Sequence, residues 1–254
     1  MGGAMLRGWL AADVAPATFD IIDPVAENLP EGVHLHRSSA ALDAGFDVVI
    51  LGIKPQLLTE LAPEIARILN PGATVISILA GTRTDTLSAC FPDARIIRLM
   101  PNLAAAIGKS PLGVFAPHED AQQRAEMATL LAPLGAVIWI DDEAHMDAVT
   151  ALAGSGPAFV YRFIDALTQG GEAAGLPRDV AAQLALAMTE GAAILAAILP
   201  ETPTDLARRV TSPGGTTAAG LAVLDSGSAL NILMTDTLRA ARDRGTELAK
   251  GDVT

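Results

Sequence analysis

The sequence predicts an α/β doubly wound domain followed by an all-α domain, and two observations carry that prediction. Up to about residue 140 short β-rich runs alternate with amphipathic stretches, whereas after Asp141-Asp142-Glu143 the β-branched runs stop and Ala-rich helical patterns take over. Strands that alternate with helices imply a parallel sheet covered on both faces, because parallel neighbours need a crossover connection. The boundary falls near residues 141–146, which divides the chain into domains 1–143 and 144–254.

The chain opens Met1-Gly2-Gly3-Ala4-Met5-Leu6-Arg7-Gly8, the start of a helix with no strand before it. Residues 19–23, 47–53, 73–79, 95–100 and 136–140 read as strands, two of them almost continuously apolar, as expected of strands buried on both faces. Between them, residues 57–69 have helical spacing, opened by Pro55 at a favoured first-turn position and closed by Asn70-Pro71-Gly72. The second half predicts helices over 147–174, 178–199, 204–210, 216–226 and 228–250, punctuated by Gly175-Leu176-Pro177, Pro200 and Pro213-Gly214-Gly215.

Composition narrows the function. Half of the 254 residues are apolar and only 4% aromatic, so the core is built from Ala, Val, Ile and Leu. A net charge of −12 disfavours nucleic acid or an anionic membrane as partner, since both call for a basic footprint. Cys90, the only cysteine, excludes an intrachain disulfide and any multi-cysteine zinc site, and it reads as a small buried hydrophobe. The four histidines show no ligand spacing, so no metal is expected. The apolar stretch 181–199 is rich in Ala and carries Gln183, Thr189 and Glu190, so it reads as a buried helix at a subunit contact rather than a membrane span. The N-terminus lacks a signal-peptide run, and a cytoplasmic location is expected.

Two segments carry chemistry. The run Ser212-Pro213-Gly214-Gly215-Thr216-Thr217 sets a turn and small hydroxyls ahead of a helix, whose first N–H groups and positive dipole end suit a small carboxylate. At the other end, Gly2 suits the last glycine of a G-x-G-x-x-G phosphate turn, and Asp23 ends the next strand where an acid would hold an adenosine ribose. The sheet is then expected to lack its first strand and the first two glycines of that turn. An internal Met taken as the start is the expected reason, a truly shortened protein the alternative.

Taken together, Met1-Gly2-Gly3-Ala4-Met5, Gly52-Ile53-Lys54-Pro55-Gln56, Arg98-Leu99-Met100-Pro101-Asn102, the run from Met146 through Gly154-Ser155-Gly156-Pro157 to Phe159, and Val210-Thr211-Ser212-Pro213-Gly214-Gly215-Thr216-Thr217 resemble the pyrroline-5-carboxylate reductase family, in its order and spacing. The resemblance implies a Rossmann-type domain and hydride transfer from NADPH or NADH to 1-pyrroline-5-carboxylate, giving L-proline. It implies a substrate loop of Ser212, Gly215, Thr216 and Thr217, in which Ser212 and the N–H groups of residues 215–217 hold the carboxylate. Thr217 reaches the ring nitrogen as an orienting residue and proton relay, with Ser212 the other catalytic hydroxyl. Gly2, Asp23, Ile53, Lys54, Pro55, Met100, Pro101 and Asn102 would bind the cofactor, Asp23 favouring NADH by repelling a 2′-phosphate. A homodimer or higher homo-oligomer with interlocked helical halves is implied, each C-terminal loop helping to complete the site of the other subunit.

The blocks hold no obvious acid near the substrate loop, which a cyclic iminium does not need, since hydride transfer neutralises charge already present. The Gly154-Ser155-Gly156-Pro157 turn reads as close packing of backbones at a domain or subunit interface, with a place beside the nicotinamide as the alternative, and Glu143, His145 and Asp147 read as solvated or capping groups. Two other readings remain. A related β-hydroxyacid-type dehydrogenase would want a Lys on the long helix 147–174, which has none. A truncated, non-catalytic dimerising or regulatory relic is the other.

Overall fold

The computed structural model describes residues 1–42 and 45–249. Its strands are β1 (Asp20–Ile22), β2 (His34–His36), β3 (Phe46–Leu51), β4 (Leu69–Ser77), β5 (Arg95–Met100), β6 (Ser110–Phe115) and β7 (Gly135–Trp139). The helices are α1 (Gly2–Ala11), α2 (Leu58–Arg67), α3 (Thr84–Cys90), α4 (Ala121–Leu131), α5 (Met146–Val149), α6 (Gly156–Ala173), α7 (Arg178–Ile198), α8 (Pro203–Arg209), α9 (Thr216–Asp225) and α10 (Ala229–Ala249). The doubly wound α/β half and the helical half both form as expected, and Lys250, the predicted end of the last helix, lies outside the described residues.

Strands β3 to β7 form one sheet in sequential order, parallel except for the antiparallel β5–β6 pair, while β1 and β2 form a separate parallel pair. The covering on both faces follows from the two-residue period of a strand. Val75 and Ile96 meet Leu58, Ala62, Leu87 and Phe91 on the α2 and α3 side, whereas the next residues, Ile76 and Ile97, meet Met5, Trp9, Met127 and Leu131 on the α1 and α4 side.

Two strands escape sequence reading. β2 is three residues long, and β6 contains Pro111 and Gly113, which break the usual strand signature. Pro111 is tolerated because β5 pairs only with residues 113–115, so its missing N–H leaves no gap on that side. Asn70-Pro71-Gly72, expected to close a helix, instead forms the irregular start of β4, where pairing shifts from Phe46 with Leu69 to Val48 with Thr74. Cys90 is half-buried rather than fully buried, beside the α2 and α3 cluster.

The predicted helix 147–174 is interrupted: α5 passes into a π turn at Thr150–Gly154 before α6 begins. The chain divides into a unit of Met1–Ser155 with Ala241–Thr254 and a unit of Gly156–Ala240. Within the first, the Thr246 hydroxyl donates to Asp147 Oδ2 at 3.0 Å, tying the end of α10 back to α5. The expectation that the stretch 181–199 is buried is corrected within the single chain. Helix α7 exposes Leu184, Leu186, Met188, Ile194, Leu195 and Ile198, because the unit supplies α6 for only one of its faces. Helix α7 and the stretch Thr216–Glu247 are also long and apolar enough to cross a membrane by length and composition.

Candidate functional site

The carboxyl edge of β3, β4 and β5 gathers two of the predicted segments. Ile53, Lys54 and Pro55 leave β3, with Lys54 exposed as the cap of a 3-10 turn at Pro55–Leu57. Met100, Pro101 and Asn102 leave β5, two strands away and about 10 Å across at the usual strand spacing. This edge is where parallel sheets bind ligands. Pro101 and Asn102 are buried, and the Asn102 side chain points into the protein. Its Oδ1 accepts from Ala104 N at 2.9 Å, and its Nδ2 donates to the Ala153 carbonyl at 3.0 Å. What this residue offers a ligand is therefore the shape of its turn. The π turn it grips is closed by Ser155 N donating to Thr150 O at 2.9 Å, and Gly154 lies close over the Met100 sulfur. Such turns recur at functional sites.

Beneath this corner lies a cluster that sequence reading took for a solvated or capping group. Glu143 accepts from Thr84 N at 2.7 Å, the Thr84 hydroxyl at 2.9 Å and Arg98 Nη1 at 2.7 Å, with Arg83 Nη2 at 3.3 Å. It caps α3 as expected of a capping group, but it is buried and ion-paired. Burial pushes its carboxyl up, yet the hydrogen bonds from Arg98 and Thr84 outweigh this and hold it below the ordinary glutamate range. No local signal marks the pair, since Arg98 stands 45 residues away.

Just beyond β1, Asp23 Oδ1 accepts from Val25 N at 2.8 Å and Ala26 N at 2.9 Å, so the acid shapes its own turn. Arg37, absent from the sequence reading, donates from Nη1 to the carbonyls of Asp23 and Ala26. A hollow of about 330 Å³ lined by Gly3, Leu6, Arg7, Asn28, Leu29 and Pro30 lies between the start of α1 and this loop. Helix α1 has no side-chain cap, and Gly2 has open space around its Cα. An uncapped ten-residue helix beside a hollow, with the loop that begins at Asp23 supplying its other wall through Asn28, Leu29 and Pro30, fits the phosphate end of a dinucleotide. Among the described residues no group of three or more His, Cys, Asp or Glu could hold a metal.

In the second unit, residues 212–215 form a tight turn. Gly215 N donates to Ser212 O at 3.0 Å, and Gly214 takes φ +69, which with Pro213 before it is the type II pattern. Closing the turn engages the Gly215 N–H, so of the three predicted donors those of Thr216 and Thr217 remain, in the first turn of α9 without intrahelical acceptors. No side chain caps α9, and the Ser212 hydroxyl lies so near that a Cβ on Gly215 would approach it to 2.5 Å. The turn is exposed and holds no titratable group.

A sheet edge and helix start of a shape suited to a dinucleotide, in a chain whose helical unit presents an uncapped helix start behind a tight turn, fit the class of two-part α/β oxidoreductases. Residues 143–248 match the family model described as pyrroline-5-carboxylate reductase dimerisation. The chain is 35% identical to the pyrroline-5-carboxylate reductase of Pseudomonas aeruginosa across 98% of its own length and 94% of that protein. To the enzyme of that name from Glycine max it is 40% identical, across 80% of this chain and 74% of the relative. A solved pyrroline-5-carboxylate reductase from Coxiella burnetii superposes with a TM-score of 0.89 at 30% identity, covering 97% of this chain and 94% of that one. This chain belongs to the pyrroline-5-carboxylate reductase family.

Proposed function

We propose that this protein reduces 1-pyrroline-5-carboxylate to L-proline, the last step of proline biosynthesis, with a nicotinamide cofactor. The observation that carries the reading is the uncapped α9 start behind the turn at residues 212–215, in a chain that belongs to this family along almost its whole length.

When bound, a reduced nicotinamide cofactor would supply a hydride, with its two electrons, for the imine carbon. The residues of this chain bind and orient. The N–H groups of Thr216 and Thr217 and the Ser212 hydroxyl hold the substrate carboxylate at the positive end of α9. The Thr217 hydroxyl meets the ring nitrogen, which enters already protonated and keeps its proton as the new C–H bond forms. No strong acid is required, in keeping with a turn that has no titratable group. Gly2 and Asp23 hold the phosphate and ribose end of the cofactor, and Ile53, Lys54, Pro55, Met100, Pro101 and Asn102 line its nicotinamide end.

Asp23 sets the cofactor choice. Its carboxylate repels a 2′-phosphate, while the nearby Arg37 Nη1 is engaged with backbone carbonyls, so NADH is preferred. The protein works as a homodimer or larger homo-oligomer, in which a second copy covers the apolar face that α7 exposes. A cytoplasmic location goes with this reading.

The direct test mixes the protein with NADH or NADPH and 1-pyrroline-5-carboxylate, follows loss of the reduced cofactor, and identifies proline chromatographically. A protein that binds the cofactor but makes no proline would refute the assignment.

A further inference from the structure

We propose that Glu143 and Arg98 are positioning residues for the nicotinamide cofactor: their buried pair clamps the end of β5, the start of α3 and the segment entering the π turn, and so shapes the corner at residues 100–102. The proposal rests on the reading of that corner as part of the cofactor site.

Three observations carry it. Arg98 and Met100 are two apart on β5, so their side chains share a face of the sheet. On that face Met100 packs with Met146, three residues beyond Glu143, and lies beneath Gly154 of the π turn. The Glu143 carboxylate is thus a hub between two segments that Asn102 joins a second time through its bond to the Ala153 carbonyl. Corner and π turn are held at two points, one charged and one neutral.

The pair is also an unlikely device for stability alone. With Arg98 4% and Glu143 9% exposed, the desolvation of both ions offsets much of their attraction, and apolar replacements at such places are often neutral. Its directional bonds, which tie three chain segments together, supply geometry instead. The same strand holds a natural control: Arg95, at the amino end of β5, pairs with the buried Glu119 on the edge of the sheet away from the corner.

The experiment compares Glu143→Gln, Arg98→Lys and Glu119→Gln in the full chain. It reads NADH binding by fluorescence titration without substrate, KM for each reactant, kcat, and amide exchange of the ligand-free protein. Glu143→Gln is expected to weaken NADH binding and raise the cofactor KM about tenfold, as a small misplacement of a binding group does, with kcat and the imine KM within about twofold. Exchange should rise at residues 102–105, and Arg98→Lys should show the same pattern more weakly because it keeps the charge but not the planar fork. Glu119→Gln should leave NADH binding unchanged. Equal losses of NADH binding in both Gln variants, or none in Glu143→Gln, would overturn the proposal. If Glu143→Gln does not fold, Arg98→Lys decides by the same readouts. A wild-type protein that binds NADH yet makes no proline refutes the assigned reaction and leaves the binding comparison standing.

Discussion

The side-chain amide of Asn102 donates to the main-chain carbonyl of Ala153, 51 residues along the chain, at 3.0 Å. This bond joins the end of a parallel strand to the π turn that interrupts the predicted long helix.

Asn102→Ala leaves the Ala153 carbonyl and the Ala104 N–H without their partner in a half-buried place. The expected loss is about 2 kcal/mol, or about 5 °C in melting temperature. Thermal unfolding followed by circular dichroism checks it, and an unchanged midpoint would show that water replaces the amide.

Gly8 and Gly2 lie on the same helix and should differ sharply. A Cβ at Gly8 would stand 2.1 Å from the Ala105 carbonyl, whereas at Gly2 it would meet nothing within 4 Å. Gly8→Ala is expected to destabilise by about 2 kcal/mol through overpacking, and Gly2→Ala to change stability by less than about 0.5 kcal/mol. Denaturant titration of both variants separates the two outcomes.

Ser212→Ala removes the hydroxyl proposed to donate to the substrate carboxylate and should raise the imine KM about tenfold or more, the range for a hydrogen bond to a charged group, with NADH binding unchanged. Gly215→Ala should do at least as much, because its Cβ would displace the Ser212 hydroxyl. Steady-state kinetics with each reactant varied in turn is the check.

The Glu143 carboxyl is held below its ordinary value, so its contribution to stability is fully present above the unfolded value of about 4.3 and is lost as pH falls through the lower folded value. Wild type should therefore lose more stability than Glu143→Gln between pH 5 and strongly acid conditions, on the order of one proton's worth of slope. Parallel slopes in urea titrations across that range would place the acid sensitivity elsewhere.

Asp23→Ser removes the negative charge proposed to repel a 2′-phosphate and is expected to move the ratio of NADPH to NADH efficiency about tenfold toward NADPH. An unchanged ratio would mean that Asp23 acts only on its own turn, through the bonds to Val25 and Ala26 N–H.

The sequence alone determined whatever depends on near neighbours. The strand at residues 95–100 is legible as six β-compatible apolar or long side chains ending at Met100, and the structure places it over the same residues. The turn at residues 212–215 is legible because Pro fixes one torsion and Gly admits the positive φ of the next. Tertiary structure alone decided the rest. β6 is a strand despite Pro111 and Gly113 because β5 and β7 flank it, and the helix after Met146 is interrupted where Asn102 takes the Ala153 carbonyl. Glu143 became a buried hub because folding brings Thr84 and Arg98 to it from 59 and 45 residues away. Turn and strand preferences arise from torsions and contacts within a few residues, whereas a carboxylate's partners and burial depend on which distant segments the sheet order makes adjacent.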